Sequence, residues 1–249
     1  MTGGRPTLTI LIPAYNEQAG LAQSVEVLNG RLAALKVDAE ILIVDDGSRD
    51  GTPEIADGLA RDQAQVRVVH HPMNQGIGRA FQTGVANAHG DWLILIPADL
   101  ALEPDEFHKY LDASHQADIV VGNRSDVSDY SVFRRLVHYT NIWLIRLLFQ
   151  MPVHQFQYIS LYRMEVLRAF DIEYVDGAFF LAEILIKARA LGAQLVEVPI
   201  RYSPRRTGRA TGARWPQVVR TVSDMLRFWW RWVRLGPASA ARYRAYVRS

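Results

Sequence analysis

The chain has 249 residues, of which 49% are hydrophobic, so it can bury the core of one large α/β domain or of two small ones. It contains no cysteine, which excludes disulfide bonds and thiolate metal sites. The net charge of +2 is unevenly distributed, because residues 201–249 hold twelve arginines and a single acid, Asp224, and residues 1–200 therefore carry −9. The basic segment favours an anionic partner: a membrane surface, a nucleic acid or phosphates.

Five apolar segments between residues 7 and 123 alternate with stretches of helical spacing. They read TLTILIPAYN, AEILIVDDG, VRVVHH, DWLILIPAD and DIVVGN. Nearly continuous apolar strands joined by helices indicate a largely parallel sheet that is covered on both faces. In such sheets ligands bind beyond the carboxyl ends of the strands. The polar residues expected at those ends are Asn16, Glu17, Asp45, Asp46, Asp99, Asn123 and Arg124.

The alternation loosens after residue 124. The pattern predicts an amphipathic helix over 131–151, a short segment FQYISLYR, a helix in AFFLAEILIKARALG, a strand in AQLVEVPIRYS and a last helix near 214–235. No apolar run reaches the ~18 residues that span a bilayer, since Arg146 interrupts the best one. The simplest organisation is a single domain over residues 1–249 with a C-terminal extension.

The stretch VDDGSRDGT at 44–52 puts three acids and two glycines in a strand-to-helix turn. Glycines let the backbone turn tightly and approach a ligand, while aspartates at a strand end can accept hydrogen bonds from a base, a ribose or a helix N-terminus. We expect Asp50 and Thr52 to form the turn and cap the helix. Asp45 and Asp46 are candidates for ligand binding, because a cap needs only one acceptor.

Together with IPAYNE at 12–17, this turn resembles the nucleotide-sugar site of inverting family 2 glycosyltransferases with the A-type fold. The stretches HHPMNQGIGRAFQTGVANAHGDWLILIPADL and VVGNRS look like those of polyprenyl-phosphate glycosyltransferases such as dolichol-phosphate mannose synthase. The resemblance implies a Rossmann-like α/β fold with a mainly parallel central sheet flanked by helices. It also implies a nucleotide-sugar-binding part at 7–125, an acceptor-binding part at 126–213 and a basic amphipathic extension at 214–249.

The same resemblance assigns a donor site. The residues that would bind the nucleotide are Pro13, Tyr15, Glu17, Asp45, Asp46, Asn74, Gly76 and Arg79, the last three near the diphosphate. The alternative for NQGIGRAFQTG is a glycine-rich helix start that packs closely on the sheet, because a GxG pattern alone is weak evidence.

The metal motif of the family, D-x-D, is incomplete. Pro97 stands where the first acid is expected, Asp99 keeps the second, and Ala101 replaces a glutamine often found two positions later. Mg²⁺ or Mn²⁺ would bridge the two phosphates of the leaving group, and Mg²⁺ commonly needs only one or two carboxylates besides substrate phosphates. The resemblance thus implies Asp99 as the metal ligand, and Asp99 and Arg124 as catalytic residues. A plain turn is the alternative for Asp99.

The acceptor-side motifs depart further from the family. HQFQYIS replaces D-x-x-S-G-F-R, so that His154 stands for the acid, and RRTGRAT replaces R-x-x-G-x-S-K. Arg205, Arg206 and Arg209, with Arg124, could still bind phosphates, and a solvated basic loop is the alternative.

Glu183 lies where the family places an acid on a helix beneath the acceptor. It would act as a general base if the acceptor were a sugar hydroxyl, with Asp176 as the second candidate, whereas a phosphate monoester, largely anionic at neutral pH, needs no base. A structural ion pair is the alternative for either acid.

The C-terminal pattern QVVRTVSDMLRFWWRWVR predicts an amphipathic helix over 218–234. One face would carry Arg220, Ser223, Asp224, Arg227, Arg231 and Arg234, and the other Val218, Val222, Met225, Leu226, Trp229 and Val233. Trp, Phe and Arg in this arrangement suit a membrane interface, with packing on the domain core as the alternative. Nucleic acid is not expected, because no nucleic-acid motif accompanies the helix.

These observations favour an inverting glycosyltransferase that moves a sugar from a nucleoside diphosphate to a polyprenyl phosphate at the cytoplasmic membrane face. A hydroxyl acceptor on a glycan or small molecule is a second hypothesis, supported by the changed acceptor motifs. A nucleotide-sugar-binding or scaffold protein without turnover is a third, supported by Pro97 and Ala101. The N-terminus lacks the pattern of a signal peptide, so we expect an intracellular protein, peripheral on the inner membrane face.

Overall fold

A computed structural model describes residues 7–100, 102–124, 132–156, 159–201 and 215–234. Seven strands form one sheet in the order β3-β2-β1-β4-β6-β5-β7, in which only β6 runs against its neighbours. The strands are β1 Leu8–Ala14, β2 Ala39–Asp45, β3 Val66–His70, β4 Trp92–Leu95, β5 Ile119–Arg124, β6 Ser160–Arg163 and β7 Leu195–Ile200. The mainly parallel sheet predicted from the apolar segments is therefore confirmed.

Helices cover both faces of this sheet. They are α1 Leu21–Leu35, α2 Thr52–Asp62, α3 Ile77–Asn87, α4 Phe107–Ser114, α5 Val132–Phe149, α6 Met164–Leu167, α7 Phe180–Ala190 and α8 Trp215–Arg234. The predicted helices over 131–151 and 214–235 agree with α5 and α8, whereas the single turn of α6 was not predicted.

Successive side chains of β1 point to opposite faces and enter two separate cores. Ile10 and Ile12 join a cluster with residues of α1, α2 and α4, while Leu11 joins a larger one with residues of α3, α5, α7 and α8. Phe228 of α8 packs in this second core against Phe149 of α5, with ring centroids 5.5 Å apart. The second core thus fixes α8 on the same side of the sheet as α3.

The parallel strands bring their carboxyl ends to one edge. The register pairs Ala14 of β1 with Asp45 of β2, and Asp45 with His70 of β3. Since β4 and β5 run in the same direction, Asp99 and Arg124 follow strand ends at this edge as well. The fold therefore gathers there most of the residues selected from the sequence.

Candidate active site

A pocket of about 320 Å³ lies beyond the ends of β1, β2 and β3, a size typical of small-molecule sites. Its walls come from the loops that follow these three strands. The lining residues are Tyr15, Asp45, Gly47, Ser48, Arg49, Pro53, His70, His71, Pro72, Met73 and Asn74. Three of the expected nucleotide-binding residues, Tyr15, Asp45 and Asn74, share this pocket.

Asp45 forms the buried floor of the pocket. Its Oδ1 accepts a hydrogen bond from the Ser48 backbone N–H at 3.1 Å, and its Oδ2 lies 2.8 Å from His70 Nδ1. Each carboxylate oxygen has a second lone pair, so Asp45 can still accept from a ligand N–H. This floor is suited to the imide or amidine edge of a nucleobase.

Asp46 has a different task, because it holds the loop before α3. Its Oδ1 accepts from the Gln75 N–H at 2.9 Å and lies 2.7 Å from His71 Nδ1, and its Oδ2 accepts from the Gly76 N–H at 2.7 Å. Gly76, with φ of 91°, adopts a left-handed conformation that favours glycine, and α3 starts at the next residue. Asp46 thus positions a helix N-terminus, a place suited to a diphosphate.

The loops after β1 and β2 are tied together. Asn16, in the left-handed region at φ 56°, accepts the Arg49 N–H at 2.9 Å with its side chain and donates its own N–H to Ser48 Oγ at 3.0 Å. The Glu17 N–H is bound to Thr52 Oγ1 at 2.8 Å. Tyr15 precedes these tied residues in the chain, lines the pocket and is 43% exposed.

Pro13 and Arg79 do not line the pocket. Pro13 is half-buried within β1, and Arg79 is an exposed residue in the first turn of α3 whose guanidinium donates to Gln82 Oε1 at 3.1 Å. Arg79 therefore lies at the helix N-terminus that Asp46 positions.

The chain turns sharply after β4. The Leu100 N–H is bound to the Pro97 carbonyl at 3.0 Å, and Leu100 has a φ of 48°, so Asp99 lies within a tight turn that Pro97 begins. In the part of the chain that the structure describes, no group of three or more His, Cys, Asp or Glu side chains could hold a metal ion. The donor set therefore fits Mg²⁺ or Mn²⁺ only where a nucleotide and water supply the other oxygens.

Arg124 ends β5 and is buried, at 8% exposure. Arg205, Arg206 and Arg209, the other expected phosphate ligands, lie outside the described residues.

The expectation that Glu183 is a general base is not supported. Glu183 is 0% exposed on α7, accepts hydrogen bonds from the N–H groups of Glu173 and Tyr174 at 2.9 Å, and lies 2.6 Å from Lys187 Nζ. Burial raises the pKa of Glu183, and the nearby ammonium only partly opposes that rise. These contacts hold the backbone at Glu173 and Tyr174 and pair Glu183 with Lys187, which agrees with the structural ion pair considered as the alternative. Asp176 remains the exposed acid of the two.

The segment 171–178 connects α3 to α8. On one side, Gln82 Nε2 of α3 donates to the Ile172 carbonyl at 2.5 Å, and a side chain on Gly78 would collide with the Val175 carbonyl. On the other side, Arg231 of α8 binds the carboxylate of Glu173 at 2.5 Å. Burial alone would raise the pKa of Glu173, but the hydrogen bonds with Lys187 and Arg231 outweigh it and the pKa is lowered.

The helix α8 differs from the expected simple division into two faces. Met225, assigned to the apolar membrane face, is buried in the core with Phe228, and Trp229 packs against that core. The helix nevertheless keeps a second apolar stripe that is exposed. Its residues are Val219, Val222, Leu226, Trp230 and Val233.

Sequence reasoning missed the two histidines that support the aspartates. His70 contacts Asp45 and Asp57, and His71 contacts Asp46 and Thr83, at distances between 2.7 and 3.1 Å. The signal was available in VRVVHH, where two histidines follow an apolar strand beside the DDG turn.

The mainly parallel sheet, with a pocket floored by Asp45 at its carboxyl edge, has the architecture of the glycosyltransferase A-type fold. Residues 9–176 match the family model described as Glycosyl transferase family 2. The chain belongs to this family, and it is a glycosyltransferase.

Two curated relatives cover most of the chain. The undecaprenyl-phosphate mannosyltransferase of Micrococcus luteus is 28% identical over 209 residues, which cover 80% of this chain and 84% of the relative. The polyprenol monophosphomannose synthase of Mycolicibacterium smegmatis is 32% identical, with coverages of 82% and 81%.

Solved structures share the fold at lower identity. Glucosyl-3-phosphoglycerate synthase from Mycobacterium tuberculosis, in complex with Mn²⁺, UDP and phosphoglyceric acid, superposes with a TM-score of 0.65 at 20% identity, covering 94% of this chain and 78% of that one. The mannosyltransferase PcManGT from Pyrobaculum calidifontis, with GDP-Man and Mn²⁺, gives 0.65 at 16% identity, with coverages of 98% and 74%. Divalent metal accompanies the nucleotide in both complexes.

Proposed function

We propose that this glycosyltransferase moves a sugar, with inversion, from a nucleoside diphosphate to a polyprenyl phosphate at the cytoplasmic face of a membrane. The observation that carries the proposal is the pocket floored by Asp45 beside a helix start that Asp46 holds, in a chain whose curated relatives are named for transfer to undecaprenyl phosphate and for polyprenol monophosphomannose synthesis.

The donor occupies the carboxyl edge of the sheet. The base lies in the pocket with Asp45 accepting its N–H, the ribose lies beside Tyr15 and Glu17, and the diphosphate extends toward Asn74, Gly76 and the first turn of α3. Backbone N–H groups at a helix start and the arginine there favour an anion. This arrangement directs the anomeric carbon toward Asp99 and Arg124 at the neighbouring strand ends.

Charge grows on the nucleoside diphosphate as it leaves. Asp99 would hold a divalent cation, which, when bound to the two phosphates, stabilises that charge. Arg124 supplies a fixed cation at the same edge, and such a donor stabilises developing charge without reorganisation. Pro97 contributes no ligand; it begins the turn that carries Asp99.

The acceptor oxygen is already anionic in a phosphate monoester. It attacks the anomeric carbon from the side opposite the diphosphate, the bond to the diphosphate breaks, and no proton has to be removed. A hydroxyl acceptor needs a base, and Glu183 is occupied by Lys187 and two backbone N–H groups, which leaves the exposed Asp176 as the candidate base for such an acceptor. The occupied Glu183 supports the phosphate acceptor, which needs no base.

The membrane assignment is supported by two exposed apolar stripes, on α8 and on α5, two helices whose buried sides pack together through Phe149 and Phe228. On α5 the exposed residues are Val132, Leu136, Tyr139, Trp143 and Leu147, between 57% and 77% exposed. Contiguous apolar patches of this kind mark interaction surfaces. Within the described ranges, every helix is too short or too polar to span a bilayer.

Charge favours an anionic bilayer as the partner. Helix α5 contains no acid and carries exposed Arg135 and Arg146, and α8 adds exposed Arg220, Arg227 and Arg234. Apolar and aromatic side chains flanked by arginines suit a helix lying at the headgroup level, with each basic residue adding roughly 1 kcal/mol near an anionic surface.

Transfer itself is tested with purified protein, UDP- and GDP-sugars, a divalent cation and either a polyprenyl phosphate or a panel of glycan hydroxyl acceptors. The expected product is a lipid phosphate sugar with the opposite anomeric configuration to the donor. Transfer only to hydroxyls would establish the second hypothesis, and tight nucleotide-sugar binding without transfer or hydrolysis would establish the scaffold hypothesis.

Membrane contact is tested by sedimentation with phosphatidylglycerol-containing and purely zwitterionic vesicles. A Leu226→Ser/Trp230→Ser variant should lose binding to anionic vesicles while its circular dichroism is unchanged, because both side chains are about half exposed. Val27→Ser, on the distant helix α1, is the matched control. Equal binding of all three proteins, or dimerisation lost in the double variant, would argue against a membrane surface.

A further inference from the structure

Two carboxylates face the two ring nitrogens of His70. Nδ1 lies 2.8 Å from Asp45 Oδ2, and Nε2 lies 3.1 Å from Asp57 Oδ1. An ionised carboxylate only accepts hydrogen bonds, and a neutral imidazole has a single N–H to donate. Both bonds can therefore form together only when His70 is the imidazolium cation.

Within the described residues, the other histidine and the arginine of this pocket do not have a carboxylate on each side as His70 does. His71 lies 2.7 Å from Asp46 Oδ1 and 2.8 Å from Thr83 Oγ1, and a hydroxyl can donate or accept, so His71 satisfies its partners when neutral. Arg49 lines the same pocket, and its guanidinium only donates hydrogen bonds. Of the two histidines that line the pocket, His70 is thus the one whose contacts require the imidazolium form.

The surroundings favour that charged state. Burial alone would lower the pKa of His70, but the hydrogen bonds with Asp45 and Asp57 outweigh it and the pKa is raised. His70 therefore keeps its charge to a higher pH than an ordinary histidine.

We propose that His70 is a positioning residue for the donor nucleotide: protonated, it orients the Asp45 carboxylate toward the nucleobase N–H, and nucleotide affinity falls when it loses that proton. The inference rests on the proposed assignment of this pocket to the base. Deprotonation removes one of the two hydrogen bonds and replaces the cationic partner of Asp45 with a neutral one, which weakens the hold on Asp45 and makes the pocket more negative toward an anionic ligand.

The test is calorimetric titration with UDP and with GDP from about pH 6 to about pH 9. The wild-type affinity should fall about three- to tenfold, the effect of roughly one hydrogen bond. Asp57→Asn removes a negative charge that keeps the proton on His70, so the midpoint should move to lower pH. Glu54→Gln, another exposed acid on α2 without contact to His70, should leave the midpoint unchanged.

Two further measurements separate positioning from a general structural role. His70→Asn offers an amide N–H to Asp45 without a titrating group, so its remaining pH profile should be only that of the nucleotide and the other protein groups. Proton NMR of the histidine ring should show the same shift of midpoint in Asp57→Asn without any nucleotide.

Each outcome has a definite meaning. Equal midpoints in wild type and Asp57→Asn, or a wild-type affinity that does not change with pH, would overturn the inference while leaving the donor site intact. If neither nucleotide binds at any pH although the protein is folded, the proposed function fails first, and the inference with it.

Discussion

Asp46 offers a quantitative test of how the donor loop is held. Its two oxygens accept from the N–H groups of Gln75 and Gly76 and contact His71, and the residue is 4% exposed. Asp46→Asn keeps the shape and one oxygen, but its amide group would face a backbone N–H that has lost its acceptor. A buried donor left without an acceptor costs about 1 to 3 kcal/mol.

This cost should appear in both folding and binding. For a chain of this size about 1 to 3 kcal/mol lowers Tm by roughly 2 to 12 °C. Because the loop before α3 is released, the affinity for nucleoside diphosphate should also fall, by about tenfold or more. Thermal unfolding and calorimetry on the same preparations measure the two effects.

Asp50→Asn is a useful comparison, since Asp50 holds the Thr52 N–H within the same turn but makes no contact with the 73–76 loop. It should lose stability with a smaller loss of nucleotide affinity. If Asp46→Asn has wild-type Tm and wild-type affinity, the loop is not held by this carboxylate and the reasoning fails.

Three further predictions concern the chemistry and the docking of α8. Asp99→Asn should nearly abolish metal-dependent turnover, and Pro97→Asp should tighten metal binding. Turnover of Asp99→Asn that survives saturating chelator would refute the metal assignment. Glu183→Gln should reduce stability but change turnover per folded molecule only a few-fold, whereas loss of a general base would cost roughly 10²- to 10⁴-fold. The pKa of Glu173 is lowered in the folded chain, so its ion pair with Arg231 stabilises the fold above the unfolded pKa of about 4.5 and weakens as pH falls through the lower folded value. Tryptophan fluorescence from α8 should change in that pH window. In Arg231→Met the same fluorescence change should occur at higher pH, because Glu173 has lost a cationic partner.

The strand ends were predictable because each apolar run stops at a polar residue. Buried parallel strands are apolar without interruption, so the first polar residue after each run marks a carboxyl end, and this rule located Asp45, Asp99 and Asn123, the neighbour of Arg124. The sequence could not show that Pro97 and Leu100 close a turn around Asp99, because that depends on a backbone hydrogen bond and a left-handed φ at a residue that seldom adopts it.

Contacts between distant residues account for the rest. Nothing in the spacing of Glu183 indicates that it accepts the N–H groups of Glu173 and Tyr174, nor that His70 reaches Asp57 on a helix. The prediction of a single apolar membrane face on α8 was wrong in part for a similar reason. A helical pattern shows which residues are apolar, but only the tertiary packing separates Met225, which is buried, from Leu226, which is exposed.

The position of α8 has a consequence for how the two substrates meet. The helix is tied to segment 171–178 through Arg231 and Glu173, and that segment packs against Gly78 in the first turn of α3. The apolar stripes of α5 and α8 face outward on the same side of the sheet. A bilayer resting on these stripes would therefore lie on the side of the sheet that carries α3, the helix whose start is assigned to the diphosphate. A lipid phosphate held at headgroup level would then approach the reacting carbon from the membrane without leaving the bilayer, so that docking and catalysis would depend on one rigid chain of contacts.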